Sequence, residues 1–244
     1  MKIAIVGYGR MWQIVEKHAL ERWVEIVAII DPIKNTSKEN LVWLDFDVII
    51  EFSVAHVALD NLKFYAKNNY KVVMATTGWW EHLDEVKDFF NNSKWAIIWS
   101  WNFSLWVNLF YQTLENVSKM MNNFPEYDVF AHEFHHKMKA DSPSGTLINI
   151  WDIILNNTDR KTEKQLNSLV SRQINDNELH LTSTRWGYIP GTHIVTYDSI
   201  FDTIELKHTA RTRDWFAVWS LVCWEWLKDK QGYFEINDFT RSLG

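Results

Sequence analysis

Over its first hundred residues the chain alternates short β-rich apolar runs with amphipathic stretches, and this alternation restricts the fold more than any other feature. Lys2–Val6, Val24–Ile30, Asp47–Phe52, Lys71–Ala75 and Ala96–Trp99 read as strands. Met11–Glu21, Ala55–Lys67 and Leu83–Phe90 carry apolar residues at three- and four-residue spacing and read as helices. Strands alternating with helices imply right-handed βαβ units and a parallel sheet covered on both faces. Ligands then bind in the loops at the carboxyl ends of the strands.

After Phe103 the pattern changes. Leu105–Met121 reads as a long helix, Tyr127–Phe134 as a strand and Ser144–Asn156 as a helix started by Ser142-Pro143-Ser144. Leu169–Ile174, Glu178–Thr184, His193–Tyr197 and Thr203–His208 read as mostly antiparallel strands, and the charged Arg160–Lys164 as a solvated loop. Asp214–Lys228 is helical again and is expected to pack back on the first domain. The fold class is therefore α/β: a Rossmann-type parallel sheet domain, residues 1–103 and 214–244, plus a second α+β domain, 104–213, with an open mixed or antiparallel sheet.

Gly7-Tyr8-Gly9-Arg10-Met11-Trp12 follows the first strand and opens the first helix. The first glycine allows a tight turn, the second lets the backbone approach a pyrophosphate, and that group then sits on the positive end of the helix. All six residues are candidates for cofactor binding. Asp31 ends the second strand, where its carboxylate could accept both ribose hydroxyls of NAD and oppose the extra phosphate of NADP. NADH is thus favoured over NADPH, although Arg10 leaves room for NADPH, and Asp31 also reads as a simple turn residue before Pro32. Ala75-Thr76-Thr77 after the fourth strand and Ser100-Trp101-Asn102-Phe103 after the fifth fall on the same sheet edge and are assigned to the nicotinamide end.

The stretch Glu133 to Thr146, E-F-H-H-K-M-K-A-D-S-P-S-G-T, gathers histidines, lysines and backbone N–H groups within fourteen positions. Such a set suits a pocket that holds a small dianion and hands it a proton. Hydride delivery to an electron-poor ring leaves negative charge that a proton must quench, and histidine is the natural donor near neutral pH. Lys139 can neutralise a carboxylate and the developing charge. Gly145 and Thr146 open a helix whose N–H groups can bind a carboxylate without another cation.

Composition adds one anomaly. The chain has 15 Trp and only 8 Gly in 244 residues, whereas average usage of about 7% predicts roughly seventeen glycines. Several Trp fall where glycine belongs, as in G-Y-G-R-M-W, N-F-S-L-W-V-N and F-A-V-W-S. The hypothesis is that many are UGA codons that the host reads as glycine, with Trp79, Trp99 and Trp226 at positions that suit an aromatic. A truly Trp-rich protein would need bulky rings in several tight turns at once. An intact native mass matching all fifteen Trp would sink the idea.

Together these blocks resemble the dihydrodipicolinate reductase family over nearly the full length. The resemblance rests on G-Y-G-R-M-W at 7–12, E-F-S at 51–53, A-T-T-G at 75–78, N-F-S-L-W-V-N at 102–108, the 133–146 stretch, P-G-T-H at 190–193 and H-T-A-R-T-R-D-W-F-A at 208–217. It implies NAD(P)H-dependent reduction of 4-hydroxy-tetrahydrodipicolinate, a small cyclic dicarboxylate, on the diaminopimelate route to lysine. It further implies a homotetramer built by the second domain. Carried over by position, His135 is the general acid with Lys139 its partner, and His136, Lys139, Gly145, Thr146 and Arg213 hold the substrate carboxylates. Trp12, Trp106 and Trp219 replace family glycines, and Ala75 replaces another.

The remaining features narrow the alternatives. A net charge of −6 with no basic stripe argues against nucleic acid. No apolar run approaches a membrane span, and the opening Met-Lys-Ile-Ala-Ile-Val-Gly is too short for a signal peptide. A single cysteine, Cys223, permits no internal disulfide and fits the cytoplasm, and its apolar surroundings suit a packed thiol. His132-Glu133-Phe134-His135-His136 spells H-E-x-x-H, but a preceding strand would send His132 and His135 to opposite faces, so no metal is expected. His18, His56, His82 and His180 read as surface residues, while His193 and His208 could be packed or near the site. A noncatalytic NAD(H)-binding sensor is the alternative function, and it leaves the His–Lys stretch without a purpose.

Overall fold

The computed structural model describes residues 1–243 apart from Tyr8, Ser93, Trp101, Asn167 and Arg213, and for Arg10, Met11 and Trp12 it describes the backbone alone. The chain divides into two compact units, residues 1–108 with 214–244 and residues 109–213.

In the first unit the chain runs β1 (Lys2–Val6), α1 (Arg10–Glu21), β2 (Glu25–Ile30), β3 (Val48–Glu51), α2 (Ala55–Asn68), β4 (Val72–Met74), α3 (Leu83–Asn91) and β5 (Ala96–Trp99). Helix α4 (Leu105–Met121) begins here and continues into the second unit. The second unit holds β6 (Asp128–His135), α5 (Gly145–Asn157), β7 (Glu163–Leu166), β8 (Glu178–Arg185), β9 (Thr192–Asp198) and β10 (Thr203–Thr209). The chain then returns to the first unit as α6 (Asp214–Leu227), β11 (Gly232–Glu235) and α7 (Ile236–Arg241).

The first sheet is parallel throughout, in the order β11-β5-β4-β3-β1-β2. Its strands are apolar on both faces, as sheets covered on both sides require, and Ile3, Ile5, Ile49, Val72 and Ile97 are fully buried. The order reverses at β1, with β2 on one side and β3 on the other. That reversal is where a parallel sheet opens a crevice for a ligand. Helix α6 packs on α1 and against β5, so the returning segment completes this unit, and its Cys223 is a buried thiol whose pKa burial pushes up.

Two helices close with the same left-handed turn. After α2, Asn69 has φ +69°, with Asn69 N donating to Ala66 O and Tyr70 N to Tyr65 O. After α1, Trp23 has φ +57°, with Trp23 N donating to Leu20 O and Val24 N to Ala19 O. This pair of bonds places a left-handed residue just past the helix, a position that favours glycine and tolerates asparagine. Trp23 occupies it with its ring 93% exposed. Trp106 and Trp219 lie 6.4 Å apart by ring centroid, and the buried Nε1 of Trp219 has no hydrogen-bond partner. Trp79 is different: it is buried and donates through Nε1 to Thr76 O at 2.7 Å.

The second sheet runs β10-β9-β6-β8-β7. Its β10–β9 and β9–β6 pairings are antiparallel, while β6–β8 and β8–β7 are parallel, so the sheet is mixed rather than mostly antiparallel. Val129, Ala131, Leu179, Leu181, Val195 and Tyr197 form the sheet side of a core whose helix side comes from α4 and α5.

Two expectations fail in this unit. Leu169–Ile174 forms no strand: Ser171 has φ +58° and Arg172 turns back to fork onto Glu178 through two 2.7 Å bonds. The edge strand is instead β7, which begins within the Arg160–Lys164 stretch expected as a solvated loop, with Glu163 paired to Glu178 and Leu166 to Leu181. Lys161 is only 3% exposed, and its ammonium is held by the carbonyls of Asp176 and Glu178 and by the Asp128 carboxylate. A buried lysine tied this way looks identical in sequence to a surface one. Both β11 and α7 lie beyond the last helix foreseen, where runs of four and six residues give too short a pattern to read.

Candidate active site

One group of candidate residues lies on the carboxyl edge of the parallel sheet. Gly7 follows β1 with φ +98°, its N–H bonded to Ile30 O at 2.9 Å. A Cβ there would stand 2.5 Å from Phe52 O, so only glycine fits beside the chain leaving β3. Gly9 caps α1 without a side-chain bond, and a Cβ there would meet nothing within 4 Å. A close-fitting first glycine and an open second one suit a turn that leaves the helix N-terminus accessible to an anion. Tyr8 lies outside the described residues, as do the side chains of Arg10, Met11 and Trp12.

Asp31 is placed at the end of β2, but its carboxylate has a structural duty as well. Oδ1 accepts from Ile33 N at 2.8 Å and caps the 3-10 turn Pro32–Lys34. The turn reading and the ribose reading therefore fall on the same side chain.

Glu51, at the end of β3, was not foreseen. It is fully buried and accepts from Tyr65 Oη at 2.5 Å, Asn61 Nδ2 at 3.2 Å and Ser53 N at 2.8 Å. Burial pushes its pKa up, and the bonds from Ser53, Tyr65 and Asn61 offset only part of that cost. Ala75 N donates to the Glu51 carbonyl and Thr76 Oγ1 lies 3.4 Å from it, while Thr77 is exposed. After β5, Ser100 Oγ donates to Asn102 O at 2.7 Å, and Asn102 Oδ1 accepts from Ser104 N at 2.9 Å. Asn108 Nδ2 bonds the same Asn102 carbonyl, and Phe103 is buried. Trp101 lies outside the described residues.

A second, separate group of candidate residues belongs to the other unit, at the end of β6. Alternation turns Val129, Ala131, Glu133 and His135 inward and sends His132 and Phe134 to the other face. The H-E-x-x-H spelling therefore starts on a strand, and its second histidine, His136, lies just beyond the strand end, so the helix that the motif requires is not formed.

Glu133 is the hub of the inner cluster and is fully buried. Its Oε1 accepts from Ser144 N at 2.9 Å, Ser183 Oγ at 2.6 Å and Arg185 Nη2 at 3.1 Å. Its Oε2 takes Ser144 Oγ in a short bond, His193 Nε2 at 3.2 Å, and lies 3.4 Å from His135 Nδ1. Burial works against ionisation of Glu133, yet the bonds from His193, Ser144 and Ser183 outweigh it and hold the carboxylate well below its usual range. Glu133, His135 and His193 bring possible metal-ligand atoms within 4.8 Å of one another. The carboxylate's lone pairs, however, are already engaged by donors, with the Arg185 cation beside it, so the cluster is built as a hydrogen-bond hub.

Burial pushes the His135 imidazole down to about 4, opposed by Glu133 and reinforced by His193, Lys139 and Arg185. The resting ring is neutral near pH 7, and a bound dianion would raise its proton affinity. His136 N donates to Ile189 O at 2.8 Å, and its buried Nδ1 has no partner. Lys139 does not bond His135 in this state: its ammonium pairs with Asp141 at 2.8 and 2.9 Å. Ser144 caps α5 by accepting from Leu147 N at 3.2 Å, leaving Gly145 and Thr146 as the opening residues of the helix. Arg213 lies outside the described residues. His208 is half-buried against Phe110, and His193 proves to be part of the cluster.

Sequence reasoning passed over Glu133, Ser144, Ser183, Arg185 and Gly191. The signal for Glu133 was present: an acidic residue two positions before His135 on an alternating strand must share its buried face. Ser144 was read only as a helix start, while Ser183, Arg185 and Gly191 come from β8 and the β8–β9 turn, and only the strand pairing brings them in.

Comparison with known proteins gives a consistent answer. A family model described as dihydrodipicolinate reductase, N-terminus, matches residues 1–103, and one described as dihydrodipicolinate reductase, C-terminus, matches residues 107–240. The chain is 36% identical over 243 residues to the 4-hydroxy-tetrahydrodipicolinate reductase of Christiangramia forsetii, covering 100% of this chain and 99% of that protein. It is 31% identical over 262 residues to the enzyme of that name from Archaeoglobus fulgidus, covering 98% and 99%. Among solved structures, a dipicolinate-bound dihydrodipicolinate reductase from Paenisporosarcina sp. TG-14 superposes with a TM-score of 0.79 at 20% identity, covering 96% of this chain and 97% of that one. A probable dehydrogenase from Thermotoga maritima gives 0.57 at 10% identity, covering 91% and 88%. Both show the likeness of fold.

Proposed function

This chain belongs to the dihydrodipicolinate reductase family, and from that premise we propose that it reduces 4-hydroxy-tetrahydrodipicolinate to tetrahydrodipicolinate with NADH or NADPH, on the diaminopimelate route to lysine. The observation that carries the reading is the meeting of a buried histidine, His135, with a capped helix start at Gly145–Thr146 through one shared carboxylate. That pairs a proton donor with an anion-binding helix terminus, the two functions that reduction of a cyclic dianion demands.

When bound, the nicotinamide supplies the hydride. Gly7 and Gly9 leave the N-terminus of α1 accessible to its pyrophosphate, and Asp31 favours NADH by repelling a 2′-phosphate while accepting from the ribose hydroxyls. The loops at Ala75–Thr77 and Ser100–Phe103 hold the nicotinamide end. His135 donates the proton that quenches the developing charge. Lys139 turns from Asp141 to a substrate carboxylate, and His136, Arg213 and the N–H groups of Gly145 and Thr146 hold the rest of the dianion. A cytoplasmic homotetramer is proposed, assembled through the second unit, where Phe130 stands 40% exposed on the sheet face opposite the core.

The test is oxidation of NADH, followed by absorbance, with substrate generated by the preceding synthase and the suspect Trp restored to glycine. Substrate-dependent loss of absorbance supports the reductase. A folded protein that binds NADH without turnover would instead be a nicotinamide sensor.

A further inference from the structure

The geometry points to Glu133 as the positioning residue that orients the proton donor and the carboxylate-binding helix together. The inference rests on the reductase reading and extends it to a residue that touches neither substrate nor cofactor in that scheme.

Three separate elements converge on this one side chain. From α5 it receives the N–H and hydroxyl of the cap residue Ser144, so the helix start is fixed relative to β6. From β8 come Ser183 and Arg185, and Arg185 also reaches the Asp141 carbonyl, which ties down the loop carrying Lys139. From β9 comes His193, whose Nε2 must donate, because an ionised carboxylate only accepts. His135 Nδ1 lies 3.4 Å from the same oxygen without a formed hydrogen bond, and that nitrogen is buried with no partner. A small rotation of the ring would let Nδ1–H bond Glu133, and Nε2 then becomes the nitrogen that gives its proton to the substrate. This is the arrangement in which a carboxylate selects a tautomer and supports the imidazolium.

The groups facing His135 are Glu133 on β6, His193 on β9, Arg185 on β8 and Lys139 on the loop after β6. Glu133 is the only anion among them. Removing its charge disfavours the protonated ring, so the activity that needs a protonated His135 should fail at lower pH.

The experiment compares Glu133→Gln and Glu133→Asp with the parent in kcat against pH, alongside an NMR titration of the His135 imidazole without substrate. Glu133→Gln should lower kcat by about 10–100-fold, as loss of an imidazole's outer partner does. It should also move both the alkaline limb and the imidazole titration to lower pH. Glu133→Asp, which keeps the charge, should hold both near the parent. An unmoved imidazole titration in folded Glu133→Gln overturns the proposal. If Glu133→Gln does not fold, a Glu133→Asp protein whose titration falls as far as that of an uncharged site overturns it too. A parent that never turns over, but whose imidazole titration depends on Glu133, defeats the reductase reading and leaves the positioning role standing.

Discussion

Gly191 backs the imidazole of His135 so closely that a Cβ at 191 would stand 2.9 Å from Nε2. The turn between β8 and β9 thereby forms a floor under the ring, and it is floored by glycine because nothing larger fits. Gly191→Ala should push the imidazole off its line and lower kcat with little change in NADH affinity. Steady-state kinetics with a fluorescence titration of NADH would check this, and a variant with parental kcat would show that the floor is not needed.

His135→Gln keeps the volume of the ring roughly and removes its proton. Turnover should fall by about 10²–10⁴-fold if the imidazole is the general acid. An unchanged rate would remove His135 from that role.

Stability should decline as pH falls, and the sign follows from two depressed pKa values. His135 titrates at an ordinary 6.5 when unfolded and at about 4 when folded, so between these the unfolded chain binds the extra proton and gains. Glu133, also depressed in the fold, adds a further loss below its ordinary 4.5. Urea midpoints should therefore drop from neutral pH toward about 4, and His135→Gln should flatten the first part of that decline. Parallel curves for parent and variant would contradict the assignment.

Asp31→Asn keeps an oxygen to cap Ile33 N while removing the charge. The ratio of kcat/KM for NADH over NADPH should fall by at least about tenfold, corresponding to ~1.4 kcal/mol of relieved repulsion. An unaltered ratio would assign Asp31 to the turn alone.

Trp23→Gly should raise stability by about 1 kcal/mol, since a left-handed backbone costs any residue with a Cβ. Asn69, at the same place after α2, shows what such a turn accepts. A lower urea midpoint for Trp23→Gly would count against glycine at this position, and the intact mass of protein from the native host reads the residue directly.

Much of this was legible in the sequence because local pattern and tertiary fold agree. The strand–helix alternation carries β1 to β5, and the run of Glu133 to Thr146 carries the buried histidine of the cluster and the helix start. What escaped was non-local. Ser183, Arg185 and His193 enter through pairing of β6 with β8 and β9, with Glu133 beside Ser183 on one side and His193 on the other. Lys161 reads as a surface cation until its carbonyl partners are seen. Leu169–Ile174 has the apolar content of a strand, but Arg172 folds back on Glu178, and an ion pair outcompetes a ladder that no neighbouring strand offers.

The proposed proton donor, His135, and the carboxylate beside it, Glu133, sit two positions apart on a single strand, facing inward only because β6 pairs in one register with β8 and β9. Deleting one residue between Asp128 and Glu133 would require the strand to slip or bulge. A slip would swap the inner face to His132 and Phe134, losing both groups at once. Length variation in this family is therefore expected in the connections around the strand and never within it: the chemistry is inherited through an uninterrupted count of residues, and an indel here is a loss of function even where the chain still folds.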